Sequence, residues 1–507
     1  MTRTSVAAVV ACLALAGCSV PDAERSDGGP AREERPPWDS SVAAWAPFVA
    51  RSGIAAPTTP SPGSWEDDAD RKGLAVALTQ RSALGPLIAR WNPDRATEPW
   101  TELALDMIAK YKPSPPAASR ALALVHVAMH DALVAVAQQK LAHDRLAPAL
   151  KDAGIAPLAP LEARSSFPSE YTAVAGAAAG VLQRLFPGQG LEYFPRHAED
   201  AARSRVAAGV NWPSDVQAGL AIGRAVAEQV MERARHDGAG LSPPATVPQD
   251  MCAWQPTPPS FIDVPLEPGW GEVRPWFLAR GDQVRPAPPP SCDSGEFRAQ
   301  MWDLYHALRS RTPREDAIAF YWADGPDTVS APGHWNTIAL HLAATNALST
   351  AQTARMFAYL NAALHDAAVA VWDAKYHYWT LRPVTWIQQH VDPDFRTPLV
   401  APPFPAYPSG HAGYSGAASA VLAHFLPEES AFVRALASEA ALSRFYAGVH
   451  VRADNEVGLA MGERVGALAV AAAAADGGWR GSLSGPTAIR LYEPATTPRW
   501  APPPSSR

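Results

Sequence analysis

Three short segments in the second half of the chain combine cations, histidines and small residues in a way that suits holding a multiply charged oxyanion. The first, KYHYWTLRP, carries Lys375 and Arg382 with six residues between them. The second, Pro408-Ser409-Gly410-His411, follows a proline-rich loop and opens a helical pattern. The third, SRFYAGVHVRAD, supplies Ser443, Arg444, His450 and Asp454. Lys375, Arg382 and Arg444 would neutralise the anion, and each guanidinium fork matches a pair of oxygens. Ser409 and Gly410 fall where unpaired N–H groups and the helix dipole favour negative charge, and Gly410 lets the backbone approach closely. His450 and Asp454 are four residues apart, so on a helical turn the carboxylate can hold one imidazole nitrogen and aim the other at the bound centre. His411 is left for proton transfer.

The scaffold of these segments occurs a second time. PSGHAGYSGAASAVLAHFLP and SRFYAGVHVRADNEVGLAMG (from Pro408 and Ser443) align with PSEYTAVAGAAAGVLQRLFP and SRVAAGVNWPSDVQAGLAIG (from Pro168 and Ser204). Upstream, HDAAVAVWDAK from His365 aligns with HDALVAVAQQK from His130. In the earlier copy Gly410 and His411 become Glu170 and Tyr171, His450 becomes Asn211, and Arg382 becomes Ala147. Residues that differ between copies are candidates for chemistry, and shared ones for scaffold, so the active site is expected in the second copy. By this logic His365-Asp366 is structural, because His130-Asp131 repeats it. Lys140 is expected to be solvated or lightly paired, and Arg205 to bridge to Asp215. His334 and Arg452 are read as polar neighbours only.

Apolar residues at three- and four-residue spacings predict helices over about 171–186, 189–208, 214–235, 296–308, 335–347, 351–374, 411–426, 428–446 and 453–475. Almost nothing alternates with period two. The expected fold class is all-α: two packed helical bundles from an internal duplication, with the active site in the second. The expected divisions are a signal peptide at 1–18, a Pro/Ser/Gly-rich segment at 19–95 and a degenerate bundle at 96–240. A Pro-rich crossover at 241–295, a catalytic bundle at 296–485 and a tail at 486–507 follow. The later part of 19–95 is expected to pack on the body, because tryptophans stand at 38, 45, 65 and 91.

Arg3, an apolar run and Leu15-Ala16-Gly17-Cys18 read as a lipoprotein signal, with Cys18 the lipidated residue. The expected location is extracytoplasmic and membrane-anchored, the membrane being touched only through that lipid. Ala121–Ala137, the most apolar later stretch, reads as a buried helix because it carries His126, His130 and Asp131. Cys12 leaves with the signal, so in an oxidising compartment Cys252 and Cys292 are expected to form a disulfide across the crossover. The formal charge of −7 gives no footprint for nucleic acid.

The ordered set K-x6-RP, PSGH, SR-x5-H-x3-D resembles the superfamily uniting type 2 phosphatidic acid phosphatases, bacterial acid phosphatases and vanadium-dependent haloperoxidases. PPFPAYPSGHA (Pro402 to Ala412), Trp372 and SRALALVHVAMHDAL (Ser119 to Leu133) are similar to the vanadium chloroperoxidase branch, over roughly residues 96 to 475. The resemblance implies vanadate bound axially by His450, with Lys375, Arg382, Ser409, Gly410 and Arg444 on its oxygens and His411 assisting proton transfer. It further implies Trp372 and Phe404 as pocket residues, Phe404 leaning to the chloroperoxidase type, and Asp324 in FYWADG as a partner of Arg444. The implied activity is oxidation of halide by hydrogen peroxide to hypohalous acid. A phosphatase of the same superfamily would instead use His450 as nucleophile through a phosphohistidine, with phosphate ester as substrate. A third reading is a tethered oxyanion-binding lipoprotein without catalysis.

Overall fold

Runs of alanine, valine and leucine broken by proline give sixteen α-helices among the described residues, which are 40–50, 54, 58–162, 165–240 and 245–479 of this computed structural model. They are α1 (Trp65–Thr79), α2 (Arg81–Trp91), α3 (Glu98–Tyr111), α4 (Pro115–Lys140), α5 (Pro148–Lys151), α6 (Glu170–Leu185), α7 (Tyr193–Ala207) and α8 (Pro213–Arg235). The second half adds α9 (Gly295–Arg309), α10 (Pro313–Tyr321), α11 (Ser330–Thr345), α12 (Thr350–Tyr378), α13 (Pro383–His390), α14 (Gly410–Phe425), α15 (Ser430–Tyr446) and α16 (Arg452–Ala475). Among the described residues there is no strand, only one isolated antiparallel bridge between Ala253 and Thr380. Cys18 and the tail beyond residue 479 lie outside the described residues.

The repeated motifs become a repeated packing unit. Helix α6 crosses α8, and α14 crosses α16, each pair flanked by one long helix, α4 or α12. Each crossing depends on glycines. A Cβ on Gly223 would lie 2.1 Å from the Ala173 carbonyl oxygen, and one on Gly462 would lie 2.0 Å from that of Gly413. The G-L-A-x-G shared by both copies is therefore a contact between backbones, which no larger residue permits. Each unit has its own apolar core. Helices α4 and α12 join the two by packing on one another, with the His126 and Phe357 rings 4.9 Å apart. Both α4 and α16 have the length and apolarity of a membrane span; α4 is enclosed by protein over 94% of that window and α16 over 39%.

The His-Asp pair in each long helix is a brace. Asp131 accepts the backbone N–H groups of Phe48, Val49 and Ala50 at 2.8, 2.7 and 2.8 Å. Asp366 accepts those of Trp276, Phe277 and Leu278 at 2.7, 2.7 and 2.9 Å. Each carboxylate thus ties an incoming strap to its bundle, and the rings of Phe48 and Phe277 meet at 6.1 Å.

Five helices escaped the periodicity: α1, α2, α5, α10 and α13. Their apolar faces are only a few residues wide, and α1 and α2 gain their burial by docking on α7. Trp45 and Trp91 are buried, whereas Trp65 is exposed. The crossover carries the Cys252–Cys292 disulfide and lies along the second unit. The Trp254 N–H donates to the Trp379 carbonyl at 2.6 Å, and that of Leu381 to the Cys252 carbonyl at 3.0 Å.

Candidate active site

The three motif segments converge. Lys375 stands in the last turn of α12, Arg382 is the N-cap of α13, and Ser409 is the N-cap of α14 with Gly410 and His411 in its first turn. Arg444 ends α15, His450 sits in the turn before α16, and Asp454 is in the first turn of α16. Gly448, at φ +76°, supplies the left-handed step that turns the chain back after α15. The Ser409 N–H donates to the Asp454 carbonyl at 2.9 Å, so the α14–α16 crossing also sets the site.

The loop before α14 grips the cations. Lys375 Nζ donates to the carbonyls of Pro405 and Ala406, both at 2.8 Å. Arg382 donates through Nε to the Phe404 carbonyl at 2.8 Å and through Nη1 to that of Val449 at 2.9 Å. The Phe404 ring lies 5.0 Å from Lys375 Nζ and 4.9 Å from the Arg382 guanidinium carbon. Trp372 packs on Phe404 at 5.1 Å and donates its indole N–H to the Leu266 carbonyl at 3.3 Å. His450 Nδ1 is 3.0 Å from Asp454 Oδ2, and its Nε2 is 3.2 Å from Arg382 Nη1. Nδ1 therefore carries the proton, and Nε2 turns its lone pair toward the cations. Ser409 Oγ and Arg382 Nη2 are buried without a hydrogen-bond partner among the described residues.

Charge is unbalanced here. Burial, and then the neighbouring Arg382, hold the Lys375 ammonium well below its usual range. Burial likewise lowers Arg382 to about 9 and Arg444 to about 10. Asp454 is pushed up to about 6 by burial, against the pull of Lys375 and Arg382. Burial and the three cations keep His450 neutral. An oxyanion would reverse the penalties on the three cations, because it supplies opposite charge within a low-dielectric site.

Asp324 corrects one expectation. Its carboxylate does not pair with Arg444; Oδ1 lies 2.9 Å from His334 Nδ1 and Oδ2 lies 3.3 Å from His411 Nε2. Arg444 Nη1 instead donates to the Trp322 carbonyl at 2.5 Å. His334, read from sequence as a mere neighbour, is thus linked to His411 through one carboxylate. No motif marks it, because nine residues, the rest of the loop and the first turn of α11, separate it from Asp324.

The first copy supplies two more corrections. Lys140 is fully buried, with Nζ 2.9 Å from Glu162 Oε2 and 3.3 Å from Glu170 Oε1. Arg205 pairs with Glu162 at 3.4 Å and with Asn211 Oδ1 at 2.8 Å, not with Asp215. Asp215 is held by Arg145 at 2.7 Å. A guanidinium therefore does enter this copy, two residues before Ala147, and is spent on carboxylates.

Comparison with known proteins gives concordant matches. A family model for the second helical-bundle domain of vanadium chloroperoxidase matches residues 355–436, which include Lys375, Arg382, Ser409, Gly410 and His411. The vanadium chloroperoxidase of Curvularia inaequalis is 24% identical over 379 residues, covering 60% of this chain and 60% of that protein. The match thus spans less than two thirds of that relative's length. The crystal structure of a bacterial vanadium-dependent iodoperoxidase superposes with a TM-score of 0.62 at 27% identity, covering 74% of this chain and 95% of the other. A bacterial vanadium-dependent chloroperoxidase in its holo form shares the fold, with a TM-score of 0.53 at 14% identity over 72% of this chain and 93% of the other.

Proposed function

Because the chain belongs to the superfamily that contains the vanadium-dependent haloperoxidases, we propose that it is a vanadate-dependent haloperoxidase-like enzyme, oxidising halide with hydrogen peroxide to hypohalous acid. One observation carries this reading: a buried cradle of three cations in which Ser409 Oγ and Arg382 Nη2 have no hydrogen-bond partner among the described residues. The donor set fits vanadate. Lys375, Arg382, Arg444, Ser409 and the Gly410 N–H would hold its oxygens, and His450 Nε2 would hold the metal. Bound there, vanadate would supply the Lewis acid that activates peroxide toward halide.

The remaining roles belong to the chain. Asp454 holds Nδ1 of His450 and so keeps Nε2 aimed at the centre. His411 is lowered to about 4 by burial and Arg444, against Asp324, so it is neutral near pH 7 and free to accept a proton from peroxide. Trp372 and Phe404 wall the cradle with apolar rings, which excludes water and strengthens each electrostatic contact inside. The proposal also places the body outside the cytoplasm, anchored through Cys18; the Cys252–Cys292 disulfide suits that compartment.

The test is to purify the protein with and without orthovanadate and assay peroxide-dependent halogenation of a dye beside hydrolysis of a chromogenic phosphate ester. Halogenation should require vanadate. His450→Ala should abolish vanadate retention, and His411→Ala should retain vanadate while turnover falls about 10²–10⁴-fold. Ester turnover inhibited by vanadate, with a phosphoryl group trapped on His450, would establish a phosphatase instead. Vanadate retention with neither activity would leave an oxyanion-binding protein.

A further inference from the structure

We infer that His334 is a positioning residue for His411, acting through Asp324. The inference rests on the proposed role of His411 in proton transfer. One carboxylate stands between the two imidazoles: Oδ1 is hydrogen-bonded to His334 Nδ1 at 2.9 Å, and Oδ2 faces His411 Nε2 at 3.3 Å, an ion-pair distance without hydrogen-bond geometry. Asp324 lies in the loop between α10 and α11 at φ +48°, a left-handed conformation that aspartate tolerates better than most residues. That backbone turn brings the carboxylate to α14 from a different element than the one bearing His411.

His334 is itself held on several sides. Its ring stacks on Trp322 at 4.4 Å between centroids and meets the edge of Tyr321 at 4.9 Å. Trp322 is fixed in turn, since its indole N–H donates to Glu439 at 3.1 Å and its carbonyl receives Arg444. The His334 imidazole therefore presents Nδ1 to Asp324 from a rigid mount. The hydrogen bond from His334 to Oδ1 limits how the buried carboxylate can pivot. With Oδ1 occupied by His334, Oδ2 stays directed at His411 and fixes which way that ring faces the cradle. The arrangement parallels His450 with Asp454, so each working histidine has its own carboxylate. It differs in that the third group is a second imidazole, whereas Asp454 accepts the Val451 N–H at 3.3 Å.

Two substitutions separate the hydrogen bond from the stacking. His334→Phe keeps a flat ring on Trp322 and removes the donor; His334→Asn keeps a donor near the Nδ1 position and removes the ring. In protein loaded with orthovanadate, His334→Phe should lower kcat for bromide oxidation about tenfold or more, as loss of a supporting hydrogen bond typically does. KM for bromide and the vanadate stoichiometry should stay unchanged. His334→Asn should recover most of the loss. In vanadate-free protein, the imidazole ¹⁵N shifts of His411 should change in His334→Phe and in Asp324→Asn, and much less in His334→Asn. A wild-type kcat and unchanged His411 shifts in His334→Phe would overturn the inference. So would a pattern in which His334→Asn is the damaged variant, since stacking would then be the role. If wild-type protein fails to halogenate, the proposed activity falls, while the ¹⁵N measurement still decides whether His334 positions His411.

Discussion

The two halves of this molecule meet the same electrostatic problem and solve it differently. Each buries a lysine at the end of a long helix and an arginine at the end of a later one, facing the N-terminus of a third. In the first half Glu162 fills the space between. Its carboxylate is bound by Lys140, Arg205, the Ser169 hydroxyl at 2.7 Å and the Glu170 N–H at 3.0 Å. Those partners correspond to Lys375, Arg444, Ser409 and Gly410. Glu162 thus stands where the second half is proposed to hold an external oxyanion. The lysines register the difference. Burial pulls both down, but Glu162 and Glu170 reverse this for Lys140 and raise it. Lys375 feels Asp454 but bonds no carboxylate among the described residues, and burial with Arg382 leaves it far below its usual range. The first half thus differs by more than missing ligands: there the chain itself supplies a carboxylate to the buried cations.

The largest expected effect comes from removing that internal anion. Glu162→Gln leaves Lys140 and Arg205 buried with only Glu170 nearby, and breaking such a buried pair typically costs about 3–5 kcal/mol. Denaturant unfolding should show the loss, and sulfate should restore stability to the variant more than to the wild type. Unfolding at the wild-type midpoint would mean that Glu162 is not the occupant that balances the site.

A second contrast is covalent. The disulfide closes a 40-residue separation beside the second unit, and its bonded neighbours Trp379 and Leu381 lead directly into Arg382. Replacing both cysteines by serine should cost about 3–4 kcal/mol in the chain-entropy model and weaken orthovanadate retention. Hydrogen exchange should rise around 252–292 and 379–382 and stay unchanged in α6–α8. An equal rise in both halves would show that the bridge supports the whole fold rather than the segment bearing Arg382.

Much of this was legible because the chain was written twice. Gly223 and Gly462 are shared and prove to be packing, while His411 and His450 are unshared and line the cradle. What escaped was whatever lacks a motif. Glu162 is one acid in a proline-rich run, and His334 finds its carboxylate only through a loop whose backbone turns left-handed. Arg145 was missed because the loop between lysine and arginine is two residues shorter in the first copy. The straps escaped as well: by their bonds to Asp131 and Asp366, Phe48-Val49-Ala50 corresponds to Trp276-Phe277-Leu278, one residue out of step with the likeness of Phe48-Val49-Ala50-Arg51 to Phe277-Leu278-Ala279-Arg280.

The smallest expected effect is the most direct exchange between the halves. Counting back from Ser169 and Ser409 without a gap, Glu162 falls opposite Pro402, and the register is supported by contact: Lys140 bonds the Ser165 carbonyl and Lys375 that of Pro405. Pro402 contributes its carbonyl to the Phe404 N–H at 2.8 Å, a bond that any residue can make. Pro402→Glu should therefore offer the second cradle a tethered carboxylate. A tether this short gives an effective concentration of about millimolar, so orthovanadate affinity should fall by about tenfold or more. Stability of the vanadate-free protein should rise, opposite in sign to Glu162→Gln, because Lys375 and Arg444 gain the partner their counterparts already have. A titration of orthovanadate against thermal unfolding measures both. An unchanged affinity would show that the loop's path, rather than the single residue, keeps the second site open.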